Sequence, residues 1–186
     1  MLRKIDKNLW VLCAGLIIGG GLGLFSNIFL RENGGIGGAR SLGVLENGVG
    51  SPAANFELEA TSGKTIQLSD MEGKPVLLNF WATWCGPCQV EMPLIEEYYE
   101  RYGPNLEVLA INYDEPIGEI QPYVKKLRLT FPVLLDPGGK TADLYQVIGF
   151  PTSYFIDREG FVRGVYVGIL SKKVIEDHLK KIGVGE

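Results

Sequence analysis

The chain reads as an α/β domain, a mixed sheet covered by helices on both faces, behind one apolar N-terminal span. Three observations predict this. Strand-like and helix-like segments alternate from residue 75 onward, which calls for a largely parallel sheet. Near the C-terminal end two strand-like runs flank Asp157-Arg158-Glu159-Gly160 as an antiparallel hairpin, so the sheet is mixed. At the other end, residues 9–30 carry no charged side chain over 22 positions, and about 20 apolar residues at 1.5 Å each cross a hydrocarbon core.

The N-terminal elements come first. Residues 9–30 are expected to form a single transmembrane helix. A cleavable signal peptide, the main rival, usually has an apolar region of only about 7–15 residues. Arg3, Lys4 and Lys7 precede the span, whereas Arg31 alone follows it closely. The positive-inside rule then leaves residues 1–8 in the cytoplasm and everything after about residue 31 outside. The expected location is a cell membrane, single-pass, with the C-terminal domain extracytoplasmic. Cys13 falls inside the span as an inert apolar residue. Residues 31–50 are glycine-rich with no apolar periodicity, which makes a flexible linker. The globular domain is expected over 51–186.

Within it, Phe56-Glu57-Leu58 and Thr65-Ile66-Gln67-Leu68 around Ser62-Gly63-Lys64 suggest a hairpin. Ser69 with Glu72 three residues on suggests a capping box. Residues 75–81 are an almost continuous apolar run, as in a strand buried on both faces. Residues 87–102 carry Val90, Leu94, Tyr98 and Tyr102 at helical spacing, with Pro93 expected to kink the helix. A strand over 106–112, a helix over 117–127 and a strand over 131–135 follow. A short helix over 141–145, strands over 153–156 and 162–167, and a helix over 171–182 complete the order.

A net charge of −4 offers no basic footprint for nucleic acid. Of three cysteines, only Cys85 and Cys88 are close, and the single histidine, His178, stands among lysines near the chain end. That is no disulfide scaffold and too few ligands for a tetrahedral zinc, so no metal site is expected. His178 reads as a surface residue.

Cys85 falls where the buried strand gives way to a helix, and unpaired N–H groups and the helix dipole there favour an anion. A free thiol has a pKa near 8.5, but helix-terminal Cys-X-X-Cys thiols fall to roughly 3.5–7.5, and the thiolate is the attacking species. Spacing of three puts both sulfurs on one side of the first turn, so Cys85 is the expected nucleophile and Cys88 the resolving thiol.

The run Phe80-Trp81-Ala82-Thr83-Trp84-Cys85-Gly86-Pro87-Cys88 resembles the active-site motif of thioredoxins, and Pro93 matches the kink of their active-site helix. Phe150-Pro151-Thr152 resembles the family's cis-proline segment, which faces the disulfide and pairs with substrate backbone. The resemblance covers about residues 51–184 and implies a thioredoxin-like fold. Asn79 departs from cytoplasmic thioredoxins, which have a buried Asp there. The anchor, the N-terminal hairpin, the extra segment over 114–135 and Glu91 instead resemble the TlpA and ResA subfamily, extracytoplasmic reductases related to AhpC/TSA proteins that include cytochrome c maturation factors.

That resemblance implies a catalytic set of Cys85, Cys88 and Glu91, with Glu91 a buried carboxylate that stores or passes a proton; the bland alternative is a solvated glutamate like Glu96 or Glu97. It implies substrate contacts from Trp84, Gly86, Pro87, Phe150, Pro151 and Thr152, and no cofactor beyond the Cys85–Cys88 disulfide. The implied partners are protein disulfides, apocytochrome c among them, and an integral membrane thiol donor of the CcdA or DsbD type, with the chain itself monomeric. Two other function classes compete. A peroxidase would need a Thr two residues from its attacking Cys in a Pro-Thr-rich loop, and Thr83 sits in a different motif. A tethered binding module would capture thiols without turnover, which insulin reduction discriminates.

Overall fold

The computed structural model describes residues 48–185; the expected cytoplasmic segment 1–8, the anchor 9–30, Cys13 and nearly all of the linker lie outside them. Among the described residues no helix is long and apolar enough to cross a membrane. A small antiparallel hairpin, β1 (Glu57–Glu59) and β2 (Thr65–Gln67), leads the domain. Its turn uses Gly63 at φ 80°, a conformation that costs a glycine little. The expected capping box is placed differently. Asp70 accepts from the Gln67 N–H, and the Ser69 N–H goes to Asn55 instead.

A five-stranded sheet follows, built from β3 (Val76–Trp81), β4 (Glu107–Tyr113), β5 (Val133–Asp136), β6 (Thr152–Ile156) and β7 (Val162–Val167), in the order β5-β4-β3-β6-β7. β3, β4 and β5 run parallel, while β6 and β7 add antiparallel. The central strand β3 is buried on both faces, which is why it reads as an unbroken apolar run. Its alternation of side chains divides the core in two. Leu77 and Trp81 pack with α1 (Gly86–Tyr102), α2 (Ile117–Leu127) and α4 (Lys172–Lys181). Val76, Leu78 and Phe80 pack with Phe56 of the hairpin segment and with Ala142 of α3 (Lys140–Leu144) and the following Tyr145. Asn79 shares its face with Leu77 and Trp81, so it points toward α1.

The buried face of α1 is Cys88, Glu91, Met92, Ile95, Glu96 and Tyr98; of the apolar residues at helical spacing, Tyr98 is enclosed while Val90 is 67% exposed. Two expectations need correction. Glu96 is not a solvated glutamate: it is buried and accepts from both the N–H and the hydroxyl of Thr130, tying α1 to the loop before β5. His178 is not a free surface residue. Its ring lies 4.5 Å from that of Phe155, its Nδ1 meets the Val174 carbonyl, and it fills the space above Gly164.

Candidate active site

The site sits where the sheet's central strand ends. Cys85 caps α1 with extended backbone angles, φ −82° and ψ 99°, and its sulfur accepts the Cys88 N–H at 3.2 Å. Pro87 occupies the first turn, where a missing N–H costs nothing. Cys85 and Cys88 are joined as a disulfide. Cys85 lies at the surface edge with 5% exposure and Cys88 is fully enclosed. An incoming thiol or disulfide therefore meets Cys85 first.

The approach to Cys85 is held from one side by Glu115. Its carboxylate accepts from the Thr83 N–H at 2.7 Å, from the Thr83 hydroxyl, and from Asn112 Nδ2 at 2.7 Å. Gln89 reaches back from α1 to the Thr83 carbonyl at 2.9 Å. Trp84, 65% exposed, forms the rim and meets the edge of Phe150 at 5.8 Å between ring centroids. Gly86 and Pro87 are exposed at the helix start.

The Phe150-Pro151 bond is cis. The β3–β6 ladder ends with Phe80 opposite Thr152, so Pro151 stands one residue on, level with Trp81 and next to the loop that leads to Cys85. Thr152 turns inward and donates to the Gly149 carbonyl at 2.7 Å, and the Pro151 carbonyl accepts from Gly168.

One turn past Cys88, Glu91 is enclosed with 1% exposure. Its Oε1 accepts from Asn79 Nδ2 at 2.8 Å and its Oε2 from the Leu170 N–H at 2.8 Å. Burial dominates those two hydrogen bonds and pushes its pKa from 4.5 up to about 7. A carboxyl poised near neutrality can take and return a proton, and Glu91 shares the buried face of α1 with Cys88. Among the described residues no group of His, Cys, Asp or Glu is arranged to hold a metal.

Residues 49–165 match the AhpC/TSA family. The chain belongs to that family. It is 42% identical over 135 residues to the thiol-disulfide oxidoreductase ResA of Bacillus thuringiensis subsp. konkukian, covering 72% of this chain and 78% of that protein. It is 38% identical over 143 residues to the thioredoxin-like protein YneN of Bacillus subtilis, covering 75% and 82%. Among solved structures it is similar to a thiol:disulfide interchange protein DsbE from Chlorobium tepidum, with TM-score 0.68, 34% identity, and 73% and 99% of the two chains covered. The fold is thus thioredoxin-like, as the Trp-Cys-Gly-Pro-Cys motif implies.

Within this AhpC/TSA chain, the structure joins Cys85, Cys88, Trp84, Gly86, Pro87, Phe150, Pro151 and Thr152 around one end of the sheet, with Glu91 beneath. Sequence reading missed the Glu115 clasp and the partners of Glu91. Glu115 has no motif to mark it. Asn79 stands where cytoplasmic thioredoxins have a buried Asp, yet its amide donates to Glu91 and, at 3.0 Å, to Ser153 Oγ.

Proposed function

We propose that this thiol–disulfide oxidoreductase works outside the cytoplasm as a reductant of protein disulfides, cycling between a Cys85/Cys88 dithiol and the disulfide. The observation that carries the reading is the bonded pair at the start of α1, Cys85 retaining 5% exposure and Cys88 none. In the reduced chain the Cys85 thiolate attacks a substrate disulfide, forming a mixed disulfide and releasing one substrate thiolate. Cys88 then gives its proton to Glu91, and its sulfur attacks Cys85. The second substrate thiolate leaves, the Cys85–Cys88 bond forms, and two electrons have passed to the substrate.

A membrane thiol donor of the CcdA or DsbD type restores the dithiol, and the apolar span over 9–30 keeps the domain near it. The rim of Trp84, Phe150 and Pro151 receives the polypeptide around the disulfide. Apocytochrome c is the proposed substrate. Gly-Pro between the cysteines argues for a low potential: thioredoxin lies at about −270 mV and the oxidant DsbA at about −120 mV.

The test is the reduction potential measured against glutathione, with insulin reduction as the turnover assay. A value between about −200 and −300 mV is expected. One above about −150 mV would make the protein an oxidant, and no turnover would favour a thiol-capturing module. Deletion of the gene should abolish holocytochrome c assembly, with rescue by external thiol; normal cytochromes would remove that substrate.

A further inference from the structure

Glu91 must be content in two ionisation states if it takes a proton from Cys88, yet it is sealed in the core. Its two oxygens are not equivalent. Oε2 faces the Leu170 backbone N–H, a fixed donor with no lone pair to offer. A proton on Oε2 would set two donors against each other, so the proton is confined to Oε1, the oxygen that faces Asn79.

Asn79 Nδ2 is bonded for the ionised state only. It donates one hydrogen to Glu91 Oε1 and the other to Ser153 Oγ, and its own Oδ1 is enclosed without a partner. Asn79 and Ser153 are register partners on β3 and β6, both fully buried, so the amide sits between two fixed neighbours. A half-turn of the amide about Cβ–Cγ would exchange Nδ2 and Oδ1. Oδ1 would then accept from a protonated Oε1 and from the Ser153 hydroxyl, which can donate as readily as it accepts. Two hydrogen bonds are made in either orientation.

We propose that Asn79, with Ser153, is a positioning device that turns over as Glu91 gains or loses the proton exchanged with Cys88. The unpartnered Oδ1 is the mark of this: it is the atom the other state needs. An Asp here could not donate to an ionised Glu91, and an apolar residue could serve neither state. Asn79 from β3, Ser153 from β6, the Leu170 N–H before α4 and Cys88 on α1 are the groups around this site, and no charged side chain perturbs Glu91. The inference rests on Glu91 acting as the proton store, and the test separates the two.

The full-length oxidised chain in nanodiscs, labelled with 13C-Glu and 15N-Asn, is titrated by NMR across pH 7, the region of the Glu91 pKa. The Glu91 carboxyl carbon should titrate there, and the Asn79 NH₂ resonances should shift with the same midpoint. Their NOEs to Glu91 and Ser153 should be present on the alkaline side and lost on the acid side. If the carboxyl carbon titrates while the amide keeps its NOEs throughout, the turnover is wrong and the proton store stands. If the carboxyl carbon does not titrate in that region, both fail. Asn79→Leu, alike in branching, takes a hydrogen bond from each state; the charge-assisted bond to the ionised carboxylate is the stronger, so the Glu91 midpoint should rise by about half to one pH unit. An unmoved midpoint would overturn the Asn79–Glu91 link.

Discussion

Replacing Glu91 by Gln should change how the stability of the oxidised protein depends on pH. With the disulfide closed, neither cysteine titrates, so the carboxyl is isolated. In the unfolded chain Glu91 ionises near 4.5, and in the fold at about 7, because burial disfavours the charge. Below pH 4.5 both states hold the proton and the group contributes nothing differential. Between 4.5 and 7 the unfolded chain releases it while the fold retains it, so rising pH favours unfolding. Above about 7 both are ionised and the loss is complete. The rise from 4.5 to about 7, at 1.36 kcal/mol per pH unit, comes to about 3 kcal/mol. Glu91→Gln removes the titration. Urea unfolding at a series of pH values should therefore show the wild type losing about 3 kcal/mol relative to the variant between pH 4 and 8, a midpoint difference of about 1–3 M. Curves that stay parallel over that range would refute the argument, because they would mean that Glu91 ionises in the fold as it does in the unfolded chain.

Other outcomes follow from the same geometry. Cys88→Ala should accumulate mixed disulfides through Cys85, the less enclosed of the two, which Cys85→Ala cannot; equal trapping, read on non-reducing gels, would reverse the roles. Gly164→Ala should destabilise by about 1–3 kcal/mol because its methyl collides with the His178 ring, and His178→Ala in the same chain should recover part of the loss; no recovery in thermal unfolding would remove that contact as the cause. Glu96→Ala should cost about 1–3 kcal/mol by removing the charged acceptor of the Thr130 N–H and hydroxyl, measured by denaturant midpoint. Trp84→Ala should cost no more than about 1.5 kcal/mol of stability, since it gives up mainly the Phe150 edge contact, while raising KM for a protein disulfide; an unchanged KM would take Trp84 out of the substrate rim.

Much of this protein was legible along the chain because the signals are local. The apolar run of β3, the switch to helical spacing after Cys88 and the turn at Asp157-Arg158-Glu159-Gly160 each depend on neighbours a few residues apart. The placement of Cys85 at a helix start and Cys88 one turn later needed no partner from elsewhere, so the redox chemistry could be read before any fold was known. Periodicity was less reliable for which face of α1 is buried. Val90 fits the apolar spacing but faces out, while Glu91 and Glu96 are enclosed, because their partners arrive from distant segments.

Those partners are what tertiary structure alone decided. Ser153 reaches Asn79 across a separation of 74 residues and Leu170 reaches Glu91 across 79, so nothing near either residue in sequence announces the pairing. A glutamate's pattern is the same whether water or a backbone N–H completes its hydrogen bonds. Its pKa rises from 4.5 to about 7 in the second case, because enclosure removes the solvent that stabilises the charge and two hydrogen bonds do not replace it. The local sequence determined that a reactive cysteine pair starts a helix. The packing of α1 against β3, β6 and the segment before α4 decided that a buried, proton-holding carboxyl lies beneath it.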